Sequence, residues 1–167
     1  MSETRFAVTV EPGQLHFNAA HFITFNDTCE NLHGHNFHAR VEAVGVNNPD
    51  GYVLDFVELT KLAAGICQFL NDKVLLPGRS EVVNLERDGD VVHVASYGRR
   101  FVLPADNCAV LPVSNTTAEL LAWYIGDRLL EEMRKDGGLD HVEYLQVAVE
   151  EADRQWGICR REVRDVR

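Results

Sequence analysis

Apolar and polar residues alternate with a period of two along much of the first third of this chain, as they do in strands with one buried face. Arg5 to Val10 and Leu15 to Ile23 read as two strands around the turn Glu11-Pro12-Gly13. In the second, Leu15, Phe17, Ala19 and His21 share one face, and His16, Asn18 and Ala20 share the other. Phe25 to Leu32 is expected to be a loop. From His35 to Gly45, the residues Phe37, Ala39, Val41 and Ala43 continue the parity of His33 and His35, while Asn36, His38, Arg40 and Glu42 take the opposite one. The cluster Asn47-Asn48-Pro49-Asp50-Gly51 predicts a turn that pairs this strand with Tyr52 to Asp55.

The period then becomes helical. Leu59, Leu62, Ala63, Ile66, Phe69 and Leu70 recur at helical spacing behind Asp55, an N-cap candidate with Glu58 completing a capping box. Pro77-Gly78 closes that unit. Val82 to Leu103 reads as an inserted hairpin: two β-rich runs, 82–85 and 91–94, flank Asp88-Gly89, and Phe101 to Leu103 offers a short third strand. Asn115 to Arg134 is a second helix, with Thr116 and Glu119 at capping-box spacing, Leu120, Leu121, Tyr124, Leu129 and Leu130 on an apolar face, and Gly137-Gly138 as the stop. In the last strand, Val142 to Glu151, the row Leu145, Val147, Val149 ends on Glu151, a carboxylate that is costly to bury without a partner. The predicted fold is α+β: a four-stranded antiparallel sheet with two helices on one face and an insertion over about 82–103.

Composition narrows the function. At 167 residues the chain is expected to form a single domain over 1–167. Lys plus Arg total 16 against 26 Asp plus Glu, a net charge of −10 that argues against a nucleic-acid surface. No apolar run approaches the roughly 18 residues of a membrane span, and Met1 to Thr4 does not begin a signal peptide. The expected setting is therefore cytosolic, with Cys29, Cys67, Cys108 and Cys159 as reduced thiols.

The chemistry concentrates on Cys29-Glu30-Asn31-Leu32-His33-Gly34-His35. His33 and His35 point the same way on a strand, and His21 lies on the matching apolar row of its neighbour, whereas His16 has the wrong parity unless a bulge intervenes. Three imidazoles facing one point are the donor set of an open catalytic zinc site. Other readings stay in play at single positions. Each histidine alone could be a hydrogen-bonded core residue. Cys29 could be an inert buried thiol or the fourth ligand of a structural zinc, Glu30 a solvated loop charge, Glu119 only a capping partner, and Glu151 a solvated strand end beside Glu150.

Five motifs in order, Phe17-x-Ala19-Ala20-His21, Cys29-x-x-x-His33-Gly34-His35-Asn36-Phe37, Asp55-Phe56-x-x-Leu59, Asn115-x-Thr117-x-Glu119 and the terminal Glu151, resemble the 6-pyruvoyl-tetrahydropterin synthase and 6-carboxy-tetrahydropterin synthase family. The resemblance implies a tunnelling fold (T-fold), a homohexamer built from two trimers, and 7,8-dihydroneopterin triphosphate as substrate. It implies His21, His33 and His35 as zinc ligands, Cys29 as the base, Glu151 as the pterin anchor, and Thr117 and Glu119 as further ring contacts. Two departures bear on the product. Where the family carries an Asp-His relay, Leu70-Asn71-Asp72-Lys73 leaves Asp72 as the titratable group. Glu30-x-x-His33 resembles a subfamily that cleaves the side chain to 6-hydroxymethyl-dihydropterin. A rival from another class is a pterin-binding or structural zinc protein without turnover.

Overall fold

The computed structural model describes residues 4–135 and 139–163. The strands are β1 (Phe6–Val10), β2 (His16–His21), β3 (Thr24–Phe25), β4 (Thr28–Cys29), β5 (His33–Gly45), β6 (Lys73–Pro77), β7 (Asn84–Asp88), β8 (Val91–Ser96), β9 (Arg99–Pro104), β10 (Cys108–Leu111), β11 (Val142–Ala152) and β12 (Gln155–Glu162); the helices are α1 (Phe56–Leu70) and α2 (Ala118–Lys135). The predicted stop at Gly137-Gly138 lies outside the described residues.

The long strand β5 is the axis of the main sheet. β1 and β2 do not pair with each other; both lie antiparallel along the same flank of β5, β1 against 41–45 and β2 against 33–38. Between them, Leu15 donates its N–H to Pro12 O and accepts from Ala39 N–H, so the chain steps aside and rejoins the ladder. β11 pairs with the other flank of β5, and β12 with β11, all antiparallel. Both helices cover one face, α1 against β1 and β2, α2 against β11 and β12, and they touch each other. Phe17, Phe37, Ala39, Val41, Leu145, Val147 and Val149 on the sheet meet Leu59, Ala63, Leu121, Ile125 and Leu129 on the helices, all buried. Phe17 and Phe37 stack at 4.9 Å between ring centroids; full burial of such a side chain stabilises by about 1.5–3 kcal/mol.

The predicted α+β layering holds, and the strand roster differs from the expected four. Tyr52 to Asp55 is not a strand. The Asn48 side chain accepts from the N–H groups of Asp50 and Tyr52, and Asn48 N–H donates to Tyr52 O, so the segment is tied into its own loop. β5 is flanked instead by β1 and β2 on one side and β11 on the other, and β12 extends the sheet beyond β11. On the other side β6 runs parallel to β2, and β10 parallel to β6. The insertion is a three-stranded antiparallel sheet, β7-β8-β9, separate from the main one.

Asp55 caps α1 as expected, its Oδ1 accepting from Val57 and Glu58 N–H. Phe69, expected on the buried face, is 55% exposed. At α2 the cap is Thr117 rather than Thr116: Thr117 Oγ1 accepts from Leu120 N–H, while the Thr116 hydroxyl donates to Phe22 O. The start of α2 rests on β12 at Gly157, where a Cβ would come within 2.4 Å of the Ala118 carbonyl carbon and the Glu119 nitrogen. Only glycine permits that approach.

Candidate metal centre

β2 and β5 pair with His21 opposite His33 and Ala19 opposite His35, which sets the three imidazoles on one face as neighbours across and along the ladder. Their ring centroids are 4.7 Å (His21–His33), 5.2 Å (His21–His35) and 4.9 Å (His33–His35) apart. Phe37 lies edge-on beneath His21 and His35, an apolar floor that keeps water from that side. The fourth wall is Glu151. It sits in a β-bulge, between the pairs Glu150–Trp156 and Ala152–Gln155, at the end of the Leu145-Val147-Val149 row. One of its carboxylate oxygens is 3.6 Å from His21 Nε2 and 3.5 Å from His35 Nε2. The donor atoms of His21, His33, His35 and Glu151 all lie within 4.8 Å of one another, a possible metal site.

Backbone carbonyls fix the ring tautomers. His21 Nδ1 is 2.8 Å from Thr116 O, and His33 Nδ1 is 2.8 Å from Asn31 O. A carbonyl oxygen can only accept, so Nδ1 carries the proton and Nε2 the lone pair, as metal-bound imidazoles require. The Nε2 atoms of His21 and His35 are buried without a hydrogen-bond partner. Burial pushes the His21 imidazole from 6.5 down to about 4, against the bond to Thr116 and with the push of its two neighbouring rings. Burial also raises the Glu151 carboxyl, the rings of His35 and His33 draw it back, and Glu30 and Glu119 raise it again. Three converging imidazoles, two of them with buried Nε2 atoms that lack partners, beside a carboxylate fit a divalent cation.

The sequence model of the 6-pyruvoyl tetrahydropterin synthase family matches residues 13–162. This chain belongs to that family. A putative 6-carboxy-5,6,7,8-tetrahydropterin synthase of Methanocaldococcus jannaschii is 29% identical over 154 residues, covering 92% of this chain and 93% of that protein. One from Pyrococcus horikoshii is 27% identical over 117 residues, 69% of each chain. Among solved structures, the 6-pyruvoyl tetrahydropterin synthase of Plasmodium vivax superimposes with a TM-score of 0.89 at 29% identity, over 96% of this chain and 99% of its own. That of Plasmodium falciparum gives 0.88 at 30% identity over the same shares. The fold is therefore the T-fold of the tetrahydropterin synthases.

The remaining motif residues of the synthase family fall at different distances from the imidazoles. Glu30 is half-buried on the strand-to-loop exit of β4 and acts electrostatically on both Cys29 and Glu151. Cys29 is 5% exposed and belongs to a second apolar cluster with Phe22, Leu76, Val83, Val92 and Val94. Burial raises its thiol, and Arg99 with a hydrogen bond to Ser96 pulls the other way. Thr117 is the α2 cap, and Glu119 is exposed in the first turn of the helix, near enough to Glu151 to act on its charge. Asp72 stands apart from the donor cluster. Its N–H donates to Asn18 O, its neighbour Asn71 accepts from Asn18 N–H and donates to the Asp72 carboxylate, and the pair stitches α1 to the β2 edge. Asp72 lines a cavity of about 390 Å³ with Asn18, Gly34, Asn36 and Asn107.

His16 is exposed opposite His38, on the other face of the sheet from the donor cluster. Sequence reasoning missed the carbonyls of Thr116 and Asn31, which no side-chain pattern could reveal. It also missed the clamp of Asn115, whose amide donates to Thr24 O and accepts from Thr24 N–H. Gly157, an isolated glycine in a strand-like run, was the one available signal for the close approach of α2.

Proposed function

We propose that this chain is a zinc-dependent tetrahydropterin synthase of the carbon–oxygen or carbon–carbon lyase class, acting on 7,8-dihydroneopterin triphosphate to give a 6-pyruvoyl- or 6-carboxy-tetrahydropterin. The observation that carries this reading is the convergence of three imidazoles, with two buried Nε2 atoms lacking partners, in a member of this family. His21, His33 and His35 would hold the zinc, which when bound supplies Lewis acidity to the side-chain oxygens of a pterin diol. The chain's own residues do the rest. Phe37 excludes water below the rings. Glu151 accepts hydrogen bonds from the N–H groups of the pterin ring, which offsets the cost of a half-buried carboxylate, and Thr117 and Glu119 complete the rim.

Glu30 or Cys29 moves the side-chain protons. A specific observation favours Glu30: Cys29 is sealed in an apolar cluster with its thiol raised, whereas Glu30 acts on the Glu151 charge at the site. In two structures of the Plasmodium vivax synthase, a catalytic glutamate is replaced by alanine or by cysteine. A glutamate base suits the second reading, side-chain cleavage to 6-hydroxymethyl-dihydropterin. Asp72 belongs to the proposed relay only if another subunit brings it near, consistent with the homohexamer that the family resemblance implies; the proposed setting is cytosolic. Among the described residues, no helix is long and apolar enough to cross a membrane.

The test is chromatography of products after zinc-loaded protein is incubated with 7,8-dihydroneopterin triphosphate. Each of the three products has its own retention, and a pterin that binds but is returned unchanged defeats the enzyme assignment. Comparing Cys29→Ala with Glu30→Ala then names the proton carrier: the larger loss of kcat is expected for Glu30→Ala.

A further inference from the structure

The inserted sheet has no role in the chemistry above, yet its β8–β9 end touches the segment that carries Cys29 and Glu30. That segment is a small hairpin, β3–β4, closed by a tight turn with Asn26 and Asp27 at φ 46° and 56°. β4 has β3 on one edge and no strand on the other. The peptide unit joining Cys29 to Glu30 therefore has its N–H satisfied on one side only: Glu30 N–H donates to Ile23 O at 3.0 Å. Its carbonyl, facing the open edge, would lack a ladder partner.

That partner comes from the insertion. Arg99 Nε donates to Cys29 O at 2.6 Å, a short, charge-assisted bond. Three further contacts surround it. The β8–β9 turn, with Tyr97 and Gly98 at φ 45° and 81°, brings the Tyr97 hydroxyl to the Asp27 carboxylate. Ser96, 5% exposed and donating to Val82 O at 2.9 Å, lies within hydrogen-bond reach of the Cys29 thiol. Phe101 stacks on Phe22, the residue after His21, at 5.4 Å and 25°. The peptide plane between Cys29 and Glu30 is thus pinned from both sides, and its orientation decides where both side chains point.

We propose that the inserted sheet β7–β9 is a clamp for the Cys29–Glu30 segment, with Arg99 as its principal positioning residue. This rests on the reading that the proton carrier is Glu30 or its neighbour Cys29; the clamp itself is a matter of geometry. Arg99 acts through the peptide it holds and touches no reacting atom. Its loss is expected to leave the metal and the binding rim intact and to misplace the base.

The experiment uses the full chain loaded with zinc, in three forms: unchanged, Arg99→Ala and Arg99→Lys. Iodoacetamide labelling of Cys29, followed by peptide mass spectrometry, reads how firmly the segment is held. Arg99→Ala is expected to raise the labelling rate about tenfold, because the hairpin opens locally without global unfolding. Arg99→Lys, which keeps a charged donor, is expected to restore part of the difference. In turnover of 7,8-dihydroneopterin triphosphate, Arg99→Ala should lower kcat by roughly 10- to 100-fold, the cost of a base displaced by about 1 Å. KM, zinc content and melting temperature should stay as in the unchanged chain, a split that a general loss of stability would not give. A Cys29 labelling rate unaltered in Arg99→Ala overturns the clamp, whatever turnover does. If no form turns over substrate, the functional reading fails by itself, and the labelling rates still decide the clamp.

Discussion

The His21 ring is oriented from 95 residues away, by the Thr116 carbonyl 2.8 Å from its Nδ1. Thr116 is held in turn by its hydroxyl, which donates to Phe22 O at 2.7 Å in a fully buried setting. Removing that hydroxyl with Thr116→Val leaves a buried carbonyl bare, a loss of about 1–3 kcal/mol. Because such orienting groups also tune the metal, zinc affinity should fall by about 10- to 100-fold. Competition titration against a chelator checks this, and an unaltered affinity would detach Thr116 from the site.

Metal removal should separate the two histidine faces. Stripping with a chelator is expected to abolish turnover, and zinc to restore it. His33→Ala should bind no stoichiometric zinc by elemental analysis, whereas His16→Ala, exposed on the opposite face, should bind it normally. Turnover that survives in His33→Ala would end the metal mechanism.

Acid should weaken the metal-free protein through His21. Its imidazole is held near 4 in the fold, against 6.5 in the free side chain. Between those values the unfolded chain binds the extra proton, so stability falls as the pH drops from about 6.5 to about 4. The loss attributable to this ring is on the order of 3 kcal/mol. Chemical denaturation at several pH values reads it, and His21→Gln should flatten the slope. An equal slope in both forms would rule His21 out as the acid-sensitive group.

Gly157→Ala should damage the site without touching it. The added methyl would meet α2 backbone at 2.4 Å, and backbone cannot rotate away. The helix start, with the carbonyl that aims His21, must shift. We expect a loss of about 1–3 kcal/mol, the range for overpacking, together with weaker zinc binding. A variant of normal stability and normal zinc affinity would show that α2 can slide.

Glu151→Gln distinguishes anchor from ligand. Three imidazoles suffice for a catalytic zinc, so zinc should remain stoichiometric while KM for the pterin rises. A hydrogen bond to a charged group contributes about 1.5–3 kcal/mol, which places the rise at roughly 10- to 150-fold. Loss of zinc with unaltered KM would assign the carboxylate to the metal instead.

The strand parities made much of the site readable: His21, His33, His35 and Glu151 each end or begin an apolar row, and the fold puts those rows side by side. Where prediction failed, a local competitor had captured the backbone. Tyr52 to Asp55 has strand-like residues, but Asn48 takes both backbone groups of Tyr52, its amide oxygen accepting the N–H and its own N–H donating to the carbonyl. Thr116 and Glu119 have capping-box spacing, yet Thr116 spends its hydroxyl on Phe22, and the cap passes to Thr117. β6 was not predicted: its short apolar run, Val74-Leu75-Leu76, was absorbed into the unit that Pro77-Gly78 closes, and its parallel pairing with β2 depends on contacts distant in sequence. The position of Cys29, under the insertion and away from the four donors, followed from no pattern in its own neighbourhood.

The step at Pro12 to Leu15, where the chain leaves β5 after β1 and rejoins it as β2, makes the two contiguous strands mechanically independent. Residues could be gained or lost there without altering which imidazole faces which, because only the rejoining point fixes that pairing. The outer rim of the sheet is thus free to vary in sequence length while the metal-facing end keeps its alignment.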